Sequence, residues 1–300
     1  MHAAAASSLP GRASRERLGL LLGLAGVLAF SLTLPMTRLA VAELDAWFVA
    51  FGRMALAGIA AAAWLALARA PRPSRDDLRW LAGCVIGVVV GFPLCSSLAM
   101  RTLPASHGAV INGLLPFATA LLAALWLGER HGARFWTCAA IGSAIVVAFA
   151  LRDGLAVGHG HLWMLAAVLI GAIGYVTGGR LSRTMGGVNT ILWSLVLALP
   201  LTLPAAAGLA LATPQQASAA AWGGFAYVTL ISQIAGFFAW YNGLALGGIA
   251  RVGQVQLLQA FFTIAAAAWL FGEAVEPLTW IAAAAVVVTI AIGRTERASR

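Results

Sequence analysis

Lysine is absent from this chain, and charged residues of any kind are scarce. Only 10% of the 300 residues are charged, against about 25% in an average soluble domain. Because 61% of the residues are hydrophobic, a folded form in water would expose a largely apolar surface and aggregate, whereas lipid accommodates such a surface. The scarcity of charge excludes a soluble globular domain and indicates an all-α integral membrane protein.

Several kinds of functional site are missing as well. The three cysteines all fall inside apolar runs, without the spacing of a disulfide framework or a metal site. No Gly-Lys-Ser/Thr phosphate-binding loop is present, which argues against an ATP-driven pump. His159 and His161 are clustered near Asp153, where a solvated loop is a better reading than a weak metal site. We predict no metal, no cofactor and no catalytic residue.

The net charge of +9 comes entirely from arginine. The arginines stand in short segments between apolar runs and form no stripe of the kind that binds nucleic acid. We therefore expect a lipid bilayer and a small-molecule substrate as partners, no nucleic acid, and no obligatory protein partner.

Ten apolar runs are each about as long as the 20 residues that a helix needs to cross the hydrocarbon. The predicted spans are Leu18–Ala40, Trp47–Ala68, Leu78–Met100, Ala105–Leu127, Ala133–Leu151, His161–Leu181, Val188–Leu209, Ala220–Leu246, Val252–Phe271 and Leu278–Ile292. Within the third span, Gly83, Gly87 and Gly91 recur every four residues, which predicts close packing against another helix. The first run resembles a signal peptide, but its length and Pro35 favour an uncleaved helix.

Arginine placement predicts the orientation. With the N-terminus in the cytoplasm, fifteen arginines fall in cytoplasmic segments, and only Arg38, Arg101 and Arg152 fall on the opposite side. This positive-inside bias predicts an even number of spans, with both termini in the cytoplasm.

An internal repeat relates the two halves of the chain. At an offset of 144 residues, Gly128-Glu129 matches Gly272-Glu273, and Trp136 matches Trp280. Phe117, Thr119 and Asn112 match Phe261, Thr263 and Gln256. We predict a cytoplasmic tail (1–17), a first five-helix repeat (18–151), a connecting loop (152–160), a second repeat (161–293) and a second tail (294–300). Since five is odd, the repeats are inverted, an arrangement that places the substrate site of secondary transporters near the bilayer midplane.

These residues resemble the drug/metabolite transporter superfamily, in its ten-helix bacterial form with two EamA-type repeats. The resemblance covers nearly the whole chain and rests on Leu127-Gly128-Glu129 with Arg134 and Trp136, Phe271-Gly272-Glu273 with Trp280, Pro116-Phe117, and Arg53. Ala260 departs from the pattern, because proline is usual there. The resemblance implies a multi-pass protein of the bacterial inner membrane that moves small organic metabolites by alternating access, with amino-acid export as the first choice. Export of other metabolites or drugs, a membrane enzyme without a transport role, and a membrane scaffold are the alternatives.

Polar residues inside spans are the candidate substrate-binding residues, because they usually face a cavity or a partner helix. Gln256, Gln259 and Thr263 share one face of the ninth span, and Asn112 and Thr119 occupy matching positions in the fourth. Such stripes either line a central cavity or only join helices. The further candidates are Ser96, Tyr175, Trp240 and Arg53.

Arg53 has three readings: its side chain extends to the headgroups, it pairs with Glu43 or Asp45, or it binds a substrate carboxylate. No Asp or Glu stands in the middle of any span, which favours facilitated diffusion or exchange over proton coupling, with His107 as the alternative proton carrier. Pro35, Pro93 and Pro116 lie inside spans, where they either kink the helix and supply flexibility for gating or have a purely structural role.

Overall fold

The computed structural model describes residues 12–127, 132–151, 158–213, 215–247, 252 and 255–294, and all regular structure within these ranges is helical. The predicted all-helical class is therefore confirmed. Seven helices in these ranges are long and apolar enough to cross a membrane: Ser14–Val41, Ala46–Leu67, Arg75–Met100, Ala105–Trp126, His159–Leu181, Gly187–Ala212 and Ala219–Gly247. Three shorter apolar helices, Trp136–Val146, Gln256–Phe271 and Pro277–Thr289, coincide with the remaining predicted spans. The number of ten spans and the orientation of the termini stay predictions.

In chain order the α-helices are α1 (Arg12–Ser31), α2 (Thr33–Val41), α3 (Ala46–Leu67), α4 (Arg75–Cys84), α5 (Phe92–Met100), α6 (Ala105–Asn112), α7 (Leu115–Leu127), α8 (Ala133–Leu151), α9 (His159–Leu181), α10 (Gly187–Ala212), α11 (Ala219–Ala226), α12 (Gly236–Gly247), α13 (Gln259–Phe271) and α14 (Pro277–Arg294). Two π-helices, Val85–Gly91 and Tyr227–Ala235, and one 3₁₀ turn, Gln256–Leu258, continue into α5, α12 and α13 respectively.

The three prolines inside predicted spans each lie in the first turn of a new helix. Pro35 is the third residue of α2, Pro93 is the second of α5, and Pro116 is the second of α7. Each proline thus stands next to an interruption in the α-helical hydrogen-bond pattern, while the flanking backbone at Leu32, Gly91 and Gly113 stays in the right-handed helical region.

The two π-helices occupy matching places in the two halves. Val85–Gly91 precedes α5, and Tyr227–Ala235 precedes α12. Such i→i+5 segments are rare and frequently occur at functional sites. The hydrophobic pattern contained no sign of them.

Later in each half the correspondence extends to helix boundaries. Leu115–Leu127 and Gln259–Phe271 begin and end 144 positions apart, the offset found from the sequence. Ala133–Leu151 and Pro277–Arg294 also begin at that offset. The repeat is therefore expressed in the local backbone as well as in residue type.

Most interhelical packing joins the first half of the chain to the second. Helix α1 packs on α12, α3 on α10, α5 and its preceding π-helix on α9, α6 on α13, and α8 on α14. A side chain at Gly83, Gly87 or Gly91 would collide with atoms of α9, which confirms the close packing predicted from their spacing. The two halves therefore form one interdigitated bundle.

Large apolar side chains cover the outer surface. Leu67, Leu211 and Trp269 are 87%, 88% and 82% exposed. Since a water-soluble protein of this size would bury most such side chains, the exposed ones indicate contact with lipid.

Candidate substrate-binding site

A cavity with about 460 Å³ of empty space lies among helices of both halves. The interrupted segments supply much of its wall. Thr33 and Leu34 begin α2, Phe92 and Pro93 begin α5, and Leu115 begins α7. Each π-helix also contributes, through Val88 in the first half and through Ser232 and Gln233 in the second. The local breaks in the helices thus converge on one enclosed space.

Arg53 is the one charged side chain on the wall of this cavity. It projects from the second turn of α3 and is only 2% exposed. Its Nη2 donates a hydrogen bond to Ser232 Oγ at 3.3 Å, and that hydroxyl also bonds Thr33 Oγ1 at 2.8 Å. Nε and Nη1 are buried without a hydrogen-bond partner. Two of the three guanidinium nitrogens are therefore unpaired within the described part of the chain.

The two acids predicted as partners of Arg53 are engaged elsewhere. Asp45 caps α3 by accepting the Phe48 N–H at 2.9 Å. Glu43 accepts both the N–H and the hydroxyl of Ser218, each at 2.7 Å. Because the Arg53 side chain is also enclosed within the protein, the headgroup and ion-pair readings are wrong, and the reading in which it faces a cavity fits the structure.

Two glutamine amides on the wall are half-satisfied. Gln233 Nε2 donates to the Val88 carbonyl in the first π-helix at 3.2 Å, and Gln259 Nε2 donates to the Phe30 carbonyl at 3.4 Å. The Oε1 atom of each is buried without a partner. Since a carbonyl can only accept, these bonds fix which end of each amide is free. The cavity therefore contains two unused acceptors as well as the unused donors of Arg53.

Aromatic rings form the apolar part of the wall. Phe30 and Phe237 are 4.9 Å apart between centroids, and Tyr175 meets Phe237 edge-on at 6.4 Å. Phe92 adds a fourth ring. Trp240 lies behind the wall, 5.9 Å from Tyr175, and is 2% exposed. These rings offer a dry surface for an apolar group next to a polar one.

A second, smaller cavity of about 240 Å³ adjoins the first through Gln259, which borders both. Asn112 from the first half and Gln256 from the second line it together with Pro116 and Ala260. Asn112 Oδ1 is buried without a hydrogen-bond partner. The structure therefore brings together the polar residues that the repeat pairs, Asn112 and Gln256, around one space.

The other predicted residues do not line these two cavities. Thr119 donates to the carbonyl four residues before it at 2.8 Å, and Ser96 donates to the carbonyl three residues before it at 3.2 Å. Thr263 is 1% exposed and packs within the bundle. Trp240 supports Tyr175 from behind. Of the nine predicted residues, Arg53, Tyr175 and Gln259 line the larger cavity, and Asn112 and Gln256 line the smaller one.

Three polar residues of the larger cavity were missed by the sequence reasoning: Thr33, Ser232 and Gln233. A usable signal existed for Gln233, because an amide in an apolar span has the same meaning as Gln256 and Gln259. Thr33 and Ser232 carried no such signal, since hydroxyls are common in membrane helices. Within the described ranges, no three His, Cys, Asp or Glu side chains come together as metal ligands would.

Polar contacts also join the two halves at the end of the bundle where α2 ends and α6 begins. Glu273, just after α13, accepts the Ser106 hydroxyl at 2.7 Å and lies 3.8 Å from Arg38 Nε. Arg38 Nη1 donates to the Leu103 carbonyl at 2.6 Å. At the same end, the backbone N–H and the hydroxyl of Ser218 hold the pKa of Glu43 below its ordinary value of 4.5. These contacts hold the two halves together at this end of the molecule.

Known proteins match this chain over nearly its whole length. The sequence profile described as the EamA-like transporter family matches twice, at residues 17–151 and 158–293. "Uncharacterized transporter YdeK" of Bacillus subtilis (strain 168) is 42% identical over 276 residues, which cover 91% of this chain and 95% of YdeK. "Probable terminal-alkyne amino-acid exporter" of Streptantibioticus cattleyicolor is 26% identical, over 86% of this chain and 87% of its own.

A solved structure, named only "Crystal structure of protein", superposes with a TM-score of 0.64. The superposition covers 92% of this chain and 98% of that one, at 18% sequence identity. At that identity the similarity supports the fold alone.

Proposed function

The chain belongs to the EamA-like transporter family of the drug/metabolite transporter superfamily, and we propose that it is a secondary transporter that moves small organic solutes through the cavity around Arg53. The observation that carries this proposal is the buried cavity, walled by both halves, whose polar atoms are left unused by the protein. Polar groups inside a membrane protein are costly and usually belong to a solute pathway.

The proposed architecture is ten spans in two inverted five-helix repeats, 18–151 and 161–293, with both termini in the cytoplasm. It is supported by the arginine bias, by the matching π-helices and helix boundaries, and by the two profile matches at nearly these limits. Arg72 and Gln216 are exposed in loops that this topology places on opposite sides. Single cysteines there should react with an impermeant thiol reagent from opposite faces, and labelling from the same face would refute the topology.

The proposed substrates are amino acids, in the export direction, across the bacterial inner membrane; other metabolites or drugs are the runner-up. Support comes from the Arg53 guanidinium, which suits a carboxylate, and from the name of the 26% identical relative, which refers to amino-acid export. Gln256, Gln259 and Asn112 are proposed to line the path next to Arg53, with Tyr175 as part of its apolar wall. Thr119, Thr263, Ser96 and Trp240 are assigned to helix packing around it.

The test is exchange in liposomes that contain the purified full chain. Vesicles preloaded with a mixture of amino acids should accumulate a labelled amino acid by counterflow, and those preloaded with buffer alone should not. An Arg53→Gln variant should lose this exchange, whereas Arg101→Gln, at an exposed position, should keep it. If no solute from pools of amino acids, organic acids and amphipathic drugs exchanges, the proposed function is refuted.

A further inference from the structure

The free atoms of the larger cavity form two groups of opposite character. Arg53 presents Nε and Nη1 as donors, and Gln233 and Gln259 present their Oε1 atoms as acceptors. All three side chains are at least nine-tenths buried. An unpaired buried polar group has a large desolvation cost unless a ligand satisfies it. A ligand that matches this cavity therefore carries both an acceptor group for Arg53 and a donor group for the amides.

Charge narrows the acceptor group. A guanidinium binds carboxylate or phosphate in a planar fork. The cavity offers one guanidinium, and no Asp or Glu stands among its lining residues. A carboxylate can engage both free guanidinium nitrogens, whereas a phosphate dianion brings a second negative charge for which the lining residues offer no further cation. The match is a monovalent carboxylate.

The donor group follows from the amides. Both Oε1 atoms accept only, because each Nε2 is already bound to a backbone carbonyl. An ammonium has three N–H donors and can donate to two such acceptors, and the aromatic rings of Tyr175 and Phe237 are suited to a cation as well. The rest of the wall is aromatic and offers no charged partner to a further charged group on the ligand.

We propose that the site selects α-amino carboxylates with an uncharged, apolar side chain, a proposal that rests on the proposed transporter function. The carboxylate binds Nε and Nη1 of Arg53, the ammonium binds the Oε1 atoms of Gln233 and Gln259, and the side chain lies against Phe30, Phe92 and Phe237. Acidic and basic amino acids add a charge that this wall does not pair.

The proposal is tested by binding of leucine analogues to the purified full-length protein in detergent, measured calorimetrically. The probes are L-leucine, 3-methylbutylamine, which lacks the carboxylate, and 4-methylpentanoate, which lacks the ammonium. Relative to leucine, the amine should bind about 100-fold more weakly and the acid about tenfold more weakly, because each loses charge-assisted hydrogen bonds. L-Glutamate and L-lysine should also bind about tenfold or more weakly, because the wall does not pair their extra charge.

Variants of the two glutamines test which protein atoms bind the ammonium of the ligand. Gln233→Met and Gln259→Met should each weaken leucine binding about tenfold and leave 4-methylpentanoate binding unchanged, because that ligand has no ammonium to lose. A role in packing alone would alter both ligands equally. Equal loss for the two ligands, or leucine binding no tighter than that of 3-methylbutylamine, overturns the proposal. If neither leucine nor its analogues bind while another solute exchanges in liposomes, this assignment fails and the transporter function stands.

Discussion

Replacing Arg53 separates a binding role from a structural one, because the two roles predict opposite changes in stability. The guanidinium is 2% exposed, and in the described part of the chain it forms one hydrogen bond, at 3.3 Å, with no ion pair. Hydrogen bonds between membrane helices contribute only about 0.6 kcal/mol on average. Keeping an unpaired ion buried costs several kcal/mol. Arg53→Met retains most of the side-chain volume and removes the ion.

Exchanging buried charge for a well-packed apolar group stabilises proteins by about 1–4 kcal/mol in favourable cases. At roughly 2–4 °C for each kcal/mol, Arg53→Met should raise the apparent melting temperature in detergent by several degrees. Transport of a carboxylate solute should fall about 100-fold, since two charge-assisted hydrogen bonds are lost. The unliganded protein is thus expected to hold a destabilising group that only the solute satisfies.

The assay is tryptophan fluorescence melting and liposome exchange on the same preparation, with Arg101→Met as the matched control. The control removes an exposed arginine and should change neither quantity. A melting temperature that drops by several degrees in Arg53→Met, together with lost transport, would show that the guanidinium holds the bundle together, and the binding assignment would be refuted.

Four further outcomes are expected. The double variant Gln256→Leu, Gln259→Leu should lose most transport while its melting temperature changes little, since each membrane hydrogen bond contributes about 0.6 kcal/mol; normal transport would return both residues to a packing role. Counterflow should persist when the proton gradient is collapsed, and strict dependence on a pH gradient would contradict exchange. Gly87→Leu should prevent the native fold, because its side chain would collide with the backbone of α9; wild-type melting would contradict the packing. Because the pKa of Glu43 is lowered in the folded protein, its contact with Ser218 should persist as the pH falls to 4.5 and be lost only below the folded-state pKa. Spin labels on the two loops can follow this loss as a change in distance. In the Glu43→Gln variant the distance should no longer depend on pH.

The helical class and most helix positions could be predicted because they depend on apolar run length alone. The packing of Gly83, Gly87 and Gly91 was predictable for a related reason, since a four-residue spacing places all three on one helix face. The helix interruptions were only partly predictable. The prolines at positions 35, 93 and 116 indicated irregular backbone in their spans. However, a proline next to a break in the helical hydrogen-bond pattern and one within an unbroken helix look the same in a sequence.

The π-helices could not be predicted, because an i→i+5 segment has the same apolar composition as an α-helical one. Val85–Gly91 packs against α9, and Tyr227–Ala235 packs against α3, α2 and α1. These contacts exist only in the folded bundle. Gln233 was missed for a different reason. The repeat favoured polar residues with a partner 144 positions away, and the residue at that distance from Gln233 is Val89.

The residues of this molecule fall into two kinds, those that obey the repeat and those, such as Gln233, that depart from it. In the proposed repeat, α10 is the counterpart of α3, and α10 contains no charged residue to match Arg53. The features that obey the repeat are the two π-helices, the boundaries of the later helices and the interhelical packing. At the larger cavity, Arg53 and Gln233 break the repeat and hold unused donors and acceptors, whereas Asn112 and Gln256, which obey it, hold unused polar atoms at the smaller cavity. A solute with a carboxylate at one end and an ammonium at the other has no two-fold symmetry, so its site must be built from residues that differ between the halves. At the larger cavity, departures from symmetry within the spans are therefore where we expect the two ends of the proposed solute to be distinguished.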